Sequence, residues 1–222
     1  MRKLSGCSSG SSTIDGGSCG SRPIEPVLNF EKEMSLALTT LDPNTALIIV
    51  DLQKGIVGLP VIHPIGDIIE RARALADAFR GQSLPVALIN VAGGASGRTE
   101  KPPQTGPRPD GWTDLIPELN RQPSDIVVTK RTWGAFASTD LEARLKARGV
   151  TQVVIAGVAT GTGVESTARQ AYEQGFNVTL AVDAMTDRRS EAHDYSIRNV
   201  FPRLGETGTS QEIIDLLPTR SA

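Results

Sequence analysis

The sequence predicts an α/β protein of three layers, with helices on both sides of a mostly parallel, doubly wound sheet. Three observations carry that prediction. Short unbroken apolar runs, Ala46 to Val50 and Val153 to Ala156, have the length of strands buried on both faces. Between such runs lie segments whose apolar residues recur at helical spacing. The two kinds of segment alternate, which is the pattern of parallel βαβ units. At 222 residues and 39% hydrophobic, the chain is large enough to enclose one sizeable core.

Ala46-Leu47-Ile48-Ile49-Val50 is the first strand. The stretch Asp67 to Arg80 carries Ile68, Ile69, Ala72, Leu75, Ala76 and Phe79, an amphipathic helix that Asp67 is placed to open. Pro85 to Val91 reads as the second strand and Ile126 to Thr129 as the third. Leu141 to Arg148 is a helix closed by Gly149, which suits a C-cap. Gln152 to Gly157 is the fourth strand, and Val164 to Gln174 a helix closed by Gly175. Asn177 to Val182 is the fifth strand, followed by a helix from about Ser190 to Val200. A last short helix runs near Ser210 to Leu217, with Ser210 as its expected N-cap. Residues 92–124 form a proline- and glycine-rich connection too long for an ordinary loop, the kind that serves as a lid, a binding loop or an oligomer contact. Its Trp112 is placed to cover a pocket.

Residues 1–24 are set apart by composition, and 25–222 are expected to form a single domain. Twelve of the first 22 residues are Gly or Ser, too few apolar groups to offset the entropy of ordering, so disorder is expected there. Leu4-Ser5-Gly6-Cys7 lacks the apolar stretch a signal peptide needs before its cleavage box. Cys7 and Cys19 are the chain's two cysteines, so residues 20–222 contain no thiol for a disulfide, a thiolate metal site or nucleophilic attack. A net charge of −2 without a basic stripe argues against nucleic acid as a partner, and the apolar runs are too short to span a bilayer. The cytoplasm is the expected compartment.

In a doubly wound sheet, ligands sit outside the carboxyl ends of the strands. Asp51 ends the first strand and is followed by Leu52-Gln53; Lys130 ends the third and opens Lys130-Arg131-Thr132-Trp133-Gly134-Ala135-Phe136. The fourth strand runs into Gly157-Val158-Ala159-Thr160-Gly161-Thr162-Gly163-Val164-Glu165-Ser166-Thr167-Ala168. Topology therefore puts all three segments on one rim. A cation beside Asp51 would hold its carboxylate ionised or share its proton in a partly dry pocket. Taken singly, an acid at a strand end also serves as a cap, and a lysine after a strand as a solvated charge.

Together the three segments resemble the isochorismatase-like hydrolase superfamily, over roughly residues 41–217. The resemblance implies a Rossmann-like three-layer fold, a small-molecule substrate, no cofactor and a homo-oligomer, a dimer or larger. It implies Asp51 and Lys130 as catalytic residues. It also implies a cis peptide before Ala159, with the Ala159 and Gly163 amides as donors to an anion. Thr160 and Gln53 complete the expected substrate contacts, and Trp133 and Phe136 the expected wall around a ring. Arg98, Arg108 and Arg131 are further candidates for a substrate carboxylate.

One departure governs the chemistry. The amidase branches of the superfamily carry a nucleophilic cysteine at the position of Gly163, and glycine cannot form a thioester. Thr160, Thr162 and Ser166 are nearby hydroxyls, but neither His63 nor His193 lies in these segments to act as their base. No histidine in residues 92–124 supplies the zinc set of nicotinamidases, so no metal is expected. Glycine at this place resembles the true isochorismatases, which hydrolyse a vinyl ether without a nucleophilic side chain. The resemblance then implies Asp51 as general acid toward an anionic enol ether such as isochorismate. The turn Thr160-Gly161-Thr162 differs from the Tyr-Ala-His-Ile type seen in siderophore isochorismatases. Two other readings of the same residues are an amide hydrolase that uses Asp51 to activate water, and a catalytically silent metabolite-binding or oligomeric member.

Overall fold

The computed structural model of the chain describes residues 38–100 and 107–217. The compositional boundary at 24/25 lies outside them. Six strands build one sheet: β1 (Thr45–Val50), β2 (Val86–Val91), β3 (Ile126–Lys130), β4 (Gln152–Val158), β5 (Asn177–Thr186) and β6 (Glu206–Gly208). Their order is β3-β2-β1-β4-β5-β6, and every pair is parallel. The chain winds from β1 outward to β3, then returns to the other side of β1 and winds outward again. The topological switch therefore lies between β1 and β4, where Val50 pairs with Gly157.

β1 shows why the sheet needs two helical layers. Ala46, Ile48 and Val50 belong to one buried cluster and Leu47 and Ile49 to the other, so both faces of the strand are covered. On the second face lies α2 (Ile65–Gly81), contributing Ile68, Ala72, Leu75, Ala76 and Phe79, together with α6 (Ser210–Asp215), contributing Ile213. On the first face lie α3 (Leu141–Lys146) and α4 (Glu165–Glu173), through Leu141, Leu145, Ala168 and Ala171. The three-layer α/β/α architecture with a doubly wound sheet is the one the alternation predicts.

The differences are local. α1 (Lys54–Val57), a 3₁₀ turn at Pro117–Leu119 and β6 carry no periodic signal because each is four residues or fewer. The helix expected from Val164 begins instead with a π turn, Thr160–Val164, and α5 (Ser190–Tyr195) passes into a second π turn, Ser196–Val200. Asp67 does not cap α2; Pro64 stands at the N-cap and Asp67 in the first turn. Ser210 does not cap α6. Thr209 does, in a capping box with Glu212, while the Ser210 N–H and hydroxyl donate to Asp183 at 2.6 and 2.8 Å.

The long connection is pinned down where it is described. Gln53 and Leu115 form an antiparallel bridge, and the Gly55 N–H donates to the Trp112 carbonyl at 2.9 Å. Ile116 and Leu119 are buried in the second-face core. The Trp112 ring lies on Gly55, where any Cβ would strike it, and the Arg108 guanidinium stacks over the ring at 3.8 Å. Trp112 therefore fastens the connection to α1, and it is not among the residues that line the cavity at Asp51.

At the switch, Gly157 has φ +117°, and a Cβ on it would strike the Val50 backbone. Only glycine lets β4 approach β1 this closely just before the rim. Gly157→Ala is expected to lower unfolding stability by about 3 kcal/mol or more. An unchanged urea midpoint would refute this account of the contact.

Candidate active site

The chain leaves β1 through Asp51, whose φ of +54° is unusual for a residue with a side chain. Its amide donates to the Ile89 carbonyl at 2.9 Å, so the left-handed turn is held from β2. The Lys130 ammonium, from the end of β3, donates to Asp51 Oδ2 at 2.7 Å and to the Thr132 carbonyl at 3.4 Å. Both side chains are almost fully buried, at 8% exposure for Asp51 and 2% for Lys130. Asp51 Oδ1 is buried without a hydrogen-bond partner among the described residues.

Burial pushes the Asp51 carboxyl up from its ordinary range to about 6, although the Lys130 charge and hydrogen bond pull the other way. Desolvation wins because the neutral acid loses far less than the carboxylate when water is removed. Asp51 is thus a buried acid that titrates closer to neutral pH than an ordinary carboxyl.

The third side of the rim is the turn after β4. The Val158–Ala159 peptide is cis, where the resemblance places it. The Ala159 carbonyl accepts from the Thr162 and Val164 N–H groups, each at 3.1 Å, while the Ala159 N–H has no acceptor among the described residues. The Gly163 carbonyl accepts from Thr167 Oγ1 at 2.6 Å, and that hydroxyl in turn accepts from the Ala135 N–H at 3.2 Å. This bridge locks the turn to the segment that follows Lys130. A Cβ built on Gly163 would lie 3.1 Å from Val50 Cγ1 and 3.2 Å from Asp51 Oδ2. A side chain there would press on the carboxylate, which would have to give way by a few tenths of an ångström.

A cavity of about 210 Å³ opens on these groups. Asp51, Lys130, Ala159, Gly163 and Trp133 line it, with an apolar wall from Ile56, Leu59, Val61, Val91 and Val158. Trp133 stands at the mouth, 68% exposed. Three expected contacts lie elsewhere. Gln53 is fully buried and its amide side chain is spent on backbone: its oxygen accepts from the Val91 N–H at 2.6 Å, and its nitrogen donates to the Val91 and Trp112 carbonyls at 3.1 Å. Phe136 packs against Phe176 in the first-face core, with ring centroids 6.0 Å apart. Thr160 is fully buried behind the turn, its hydroxyl 2.8 Å from His193 Nδ1.

That last contact brings a histidine to the signature turn from 33 residues away, which no local spacing signals. His193 also meets the His63 ring edge-on at 4.8 Å, and His63 Nδ1 lies 3.1 Å from the Thr186 hydroxyl. Burial, then the neighbouring His63, holds His193 below its ordinary pKa, which suits a neutral ring bracing the turn. None of Arg98, Arg108 and Arg131 lines the cavity; Arg188, just beyond β5, does. A larger cleft, about 660 Å³ beside Arg80, Asp125 and Arg148, lies at the other ends of the strands, away from Asp51.

The fold is a doubly wound parallel sheet with a buried acid–lysine pair on the rim formed by the ends of β1 and β3. The chain belongs to the isochorismatase family, since the model of the isochorismatase domain matches residues 45–212. Among its relatives, the isochorismatase family protein YwoC of Bacillus subtilis is 40% identical over 178 residues, covering 77% of this chain and 93% of that one. YecD of Escherichia coli O157:H7, from the same family, is 39% identical over 182 residues, covering 78% and 96%. A solved isochorismatase family protein from Burkholderia thailandensis superposes with a TM-score of 0.78 at 39% identity, covering 82% of this chain and 99% of that one.

The balance at Asp51 has a directional consequence. Replacing Lys130 with Met removes the one charge that lowers the acid's pKa, so Asp51 in that variant is expected to titrate well above 6. Carboxyl-carbon NMR titration of folded wild type and Lys130→Met measures it, and an unchanged or lower pKa would contradict the assignment.

Proposed function

We propose that this chain is a hydrolase of small anionic metabolites and works without a cysteine nucleophile, by general acid catalysis from Asp51 on an enol ether such as isochorismate. The observation that supports this reading is the buried acid itself. Asp51 is held through one oxygen by Lys130, is pushed up to about 6, and faces a glycine where a nucleophile would otherwise stand.

Asp51 in its protonated form gives a proton to the terminal carbon of the enol ether. The resulting oxocarbenium ion is captured by water, which returns a proton to Asp51. The hemiketal then collapses to pyruvate and a dihydrodiol. Lys130 orients the acid and offsets its charge after transfer. The Ala159 and Gly163 amides face the substrate's carboxylate, and Trp133 flanks its ring at the cavity mouth. A cavity of about 210 Å³ is below the roughly 300–1,000 Å³ of pockets for drug-sized ligands, which suits a small metabolite.

The assay is pyruvate release from isochorismate by purified protein. Asp51→Asn is expected to lose about a hundredfold or more of the rate. No turnover above that variant's background would remove isochorismate as the substrate.

The pH profile separates the acid reading from the amide-hydrolase alternative. An acid must be protonated to act, so kcat/KM is expected to fall as pH rises through about 6. A base that activates water must be ionised, and would give a rate that rises through the same region. A rising limb would overturn the acid role whatever the substrate.

A further inference from the structure

The turn after β4 has little means of holding its own shape. Two of the five residues in Thr160-Gly161-Thr162-Gly163-Val164 are glycines, which bring no side chain to pack and the widest backbone freedom. Its position is therefore set by what reaches it from outside. Thr167 holds the Gly163 carbonyl and Asp187 the Gly161 N–H, both through backbone groups of the turn. The remaining contact joins two side chains. Thr160 Oγ1 lies 2.8 Å from His193 Nδ1, and that hydroxyl has no other hydrogen-bond partner among the described residues.

α5 brings His193 to the turn. Ala192 packs so closely on Gly161 that a Cβ there would lie 3.1 Å from its methyl group. His193 is 7% exposed and meets His63 edge-on, and His63 is tied to the Thr186 hydroxyl through its backbone N–H at 3.3 Å and its Nδ1 at 3.1 Å. The ring is thus held on one side by the turn and on the other by a residue fixed to the end of β5. Three titratable groups face it: His63, Asp187 and Asp194. Burial and His63 outweigh the two carboxylates and keep the ring below its ordinary pKa, so it is neutral near pH 7 and puts no charge near Asp51. His193 does not line the cavity at Asp51, so it acts there only through the turn.

We propose that His193 is a positioning residue for the Asp51 site: through Thr160 it sets how close the turn carrying Gly163 stands to the acid. Gly163 is near enough that a Cβ on it would lie 3.2 Å from Asp51 Oδ2. With the Thr160 hydroxyl released, the turn moves off and water reaches the carboxyl. The desolvation that raises the acid's pKa is then relieved. The inference rests on the reading of this cavity as the active site and does not depend on which substrate it takes.

Carbon NMR titration of the Asp51 carboxyl tests this without a substrate. His193→Leu is expected to lower its midpoint by about half a unit or more, toward the ordinary carboxyl range. Removing a neutral ring changes no charge, so such a shift reports position and not field. Thr160→Val exchanges the hydroxyl for a methyl group of like size and is expected to lower the midpoint equally. The double variant is expected to go no further, because one contact is lost in all three. His193→Asn keeps a polar group near the place of Nδ1 and is expected to restore most of the midpoint. Thermal melting checks that each variant is folded; if His193→Leu is not, Thr160→Val and His193→Asn carry the test. An unmoved midpoint in folded Thr160→Val, or shifts that add in the double variant, would overturn the positioning role and leave His193 a structural brace. The outcome is independent of the pyruvate assay. Failed turnover with a moved midpoint removes isochorismate and keeps the positioning role; turnover with an unmoved midpoint does the reverse.

Discussion

The contact between Lys130 and Asp51 is the constraint around which the rim is arranged. Two opposite charges leave water only if each satisfies the other and the surroundings supply the rest, and breaking such a pair from one side costs about 3–5 kcal/mol. Here the surroundings supply little: Lys130 has one long further contact to the Thr132 carbonyl, and Asp51 Oδ1 has none among the described residues. The acid is therefore held in place but not satisfied. Its raised pKa follows from burial, which outweighs the Lys130 charge. For fold stability alone, apolar side chains of similar volume would serve as well or better. The cost is explained if the pair is kept for chemistry.

The geometry that brings the pair together is supplied by backbone. Gly157 lets β4 press against β1 at their ends, and the left-handed turn at Asp51 takes the chain off β1 toward Lys130. Thr167 then bolts the turn at Gly163 to the strand of chain that follows Lys130. On the far side, His193 and Asp187 brace the same turn through Thr160 and the Gly161 amide. A loop carrying functional groups is thus supported from both faces by side chains that do not line the cavity at Asp51, the support that precise positioning requires.

The cavity is lopsided in polarity. It is walled by aliphatic side chains, so the pair gains little help from solvent there. Its lining also includes two exposed residues, Trp133 and Arg188.

How much of this could be read in advance depends on the range over which each residue acts. Strand-helix alternation, the runs at β1 and β4, and the absence of cysteine beyond residue 19 are properties of consecutive residues. They determine the layered parallel fold, the shared rim of Asp51, Lys130 and Gly163, and the lack of a thiol at that rim position. Gln53 and Phe136 stand in signature strings yet turn into the protein, because a string does not reveal which face of the chain a side chain takes once the local path kinks. Trp112 finds α1 instead of the cavity for the same reason. Arg188 and His193, the partner of Thr160, lie outside any motif. They reach the turn because β5 lies beside β4, a pairing that brings distant residues together. Sequence alone determined the layers and the kinds of residue at the rim; tertiary structure decided which side chains face the cavity and how far burial raises the acid, since desolvation and long-range contact exist only once the chain has packed.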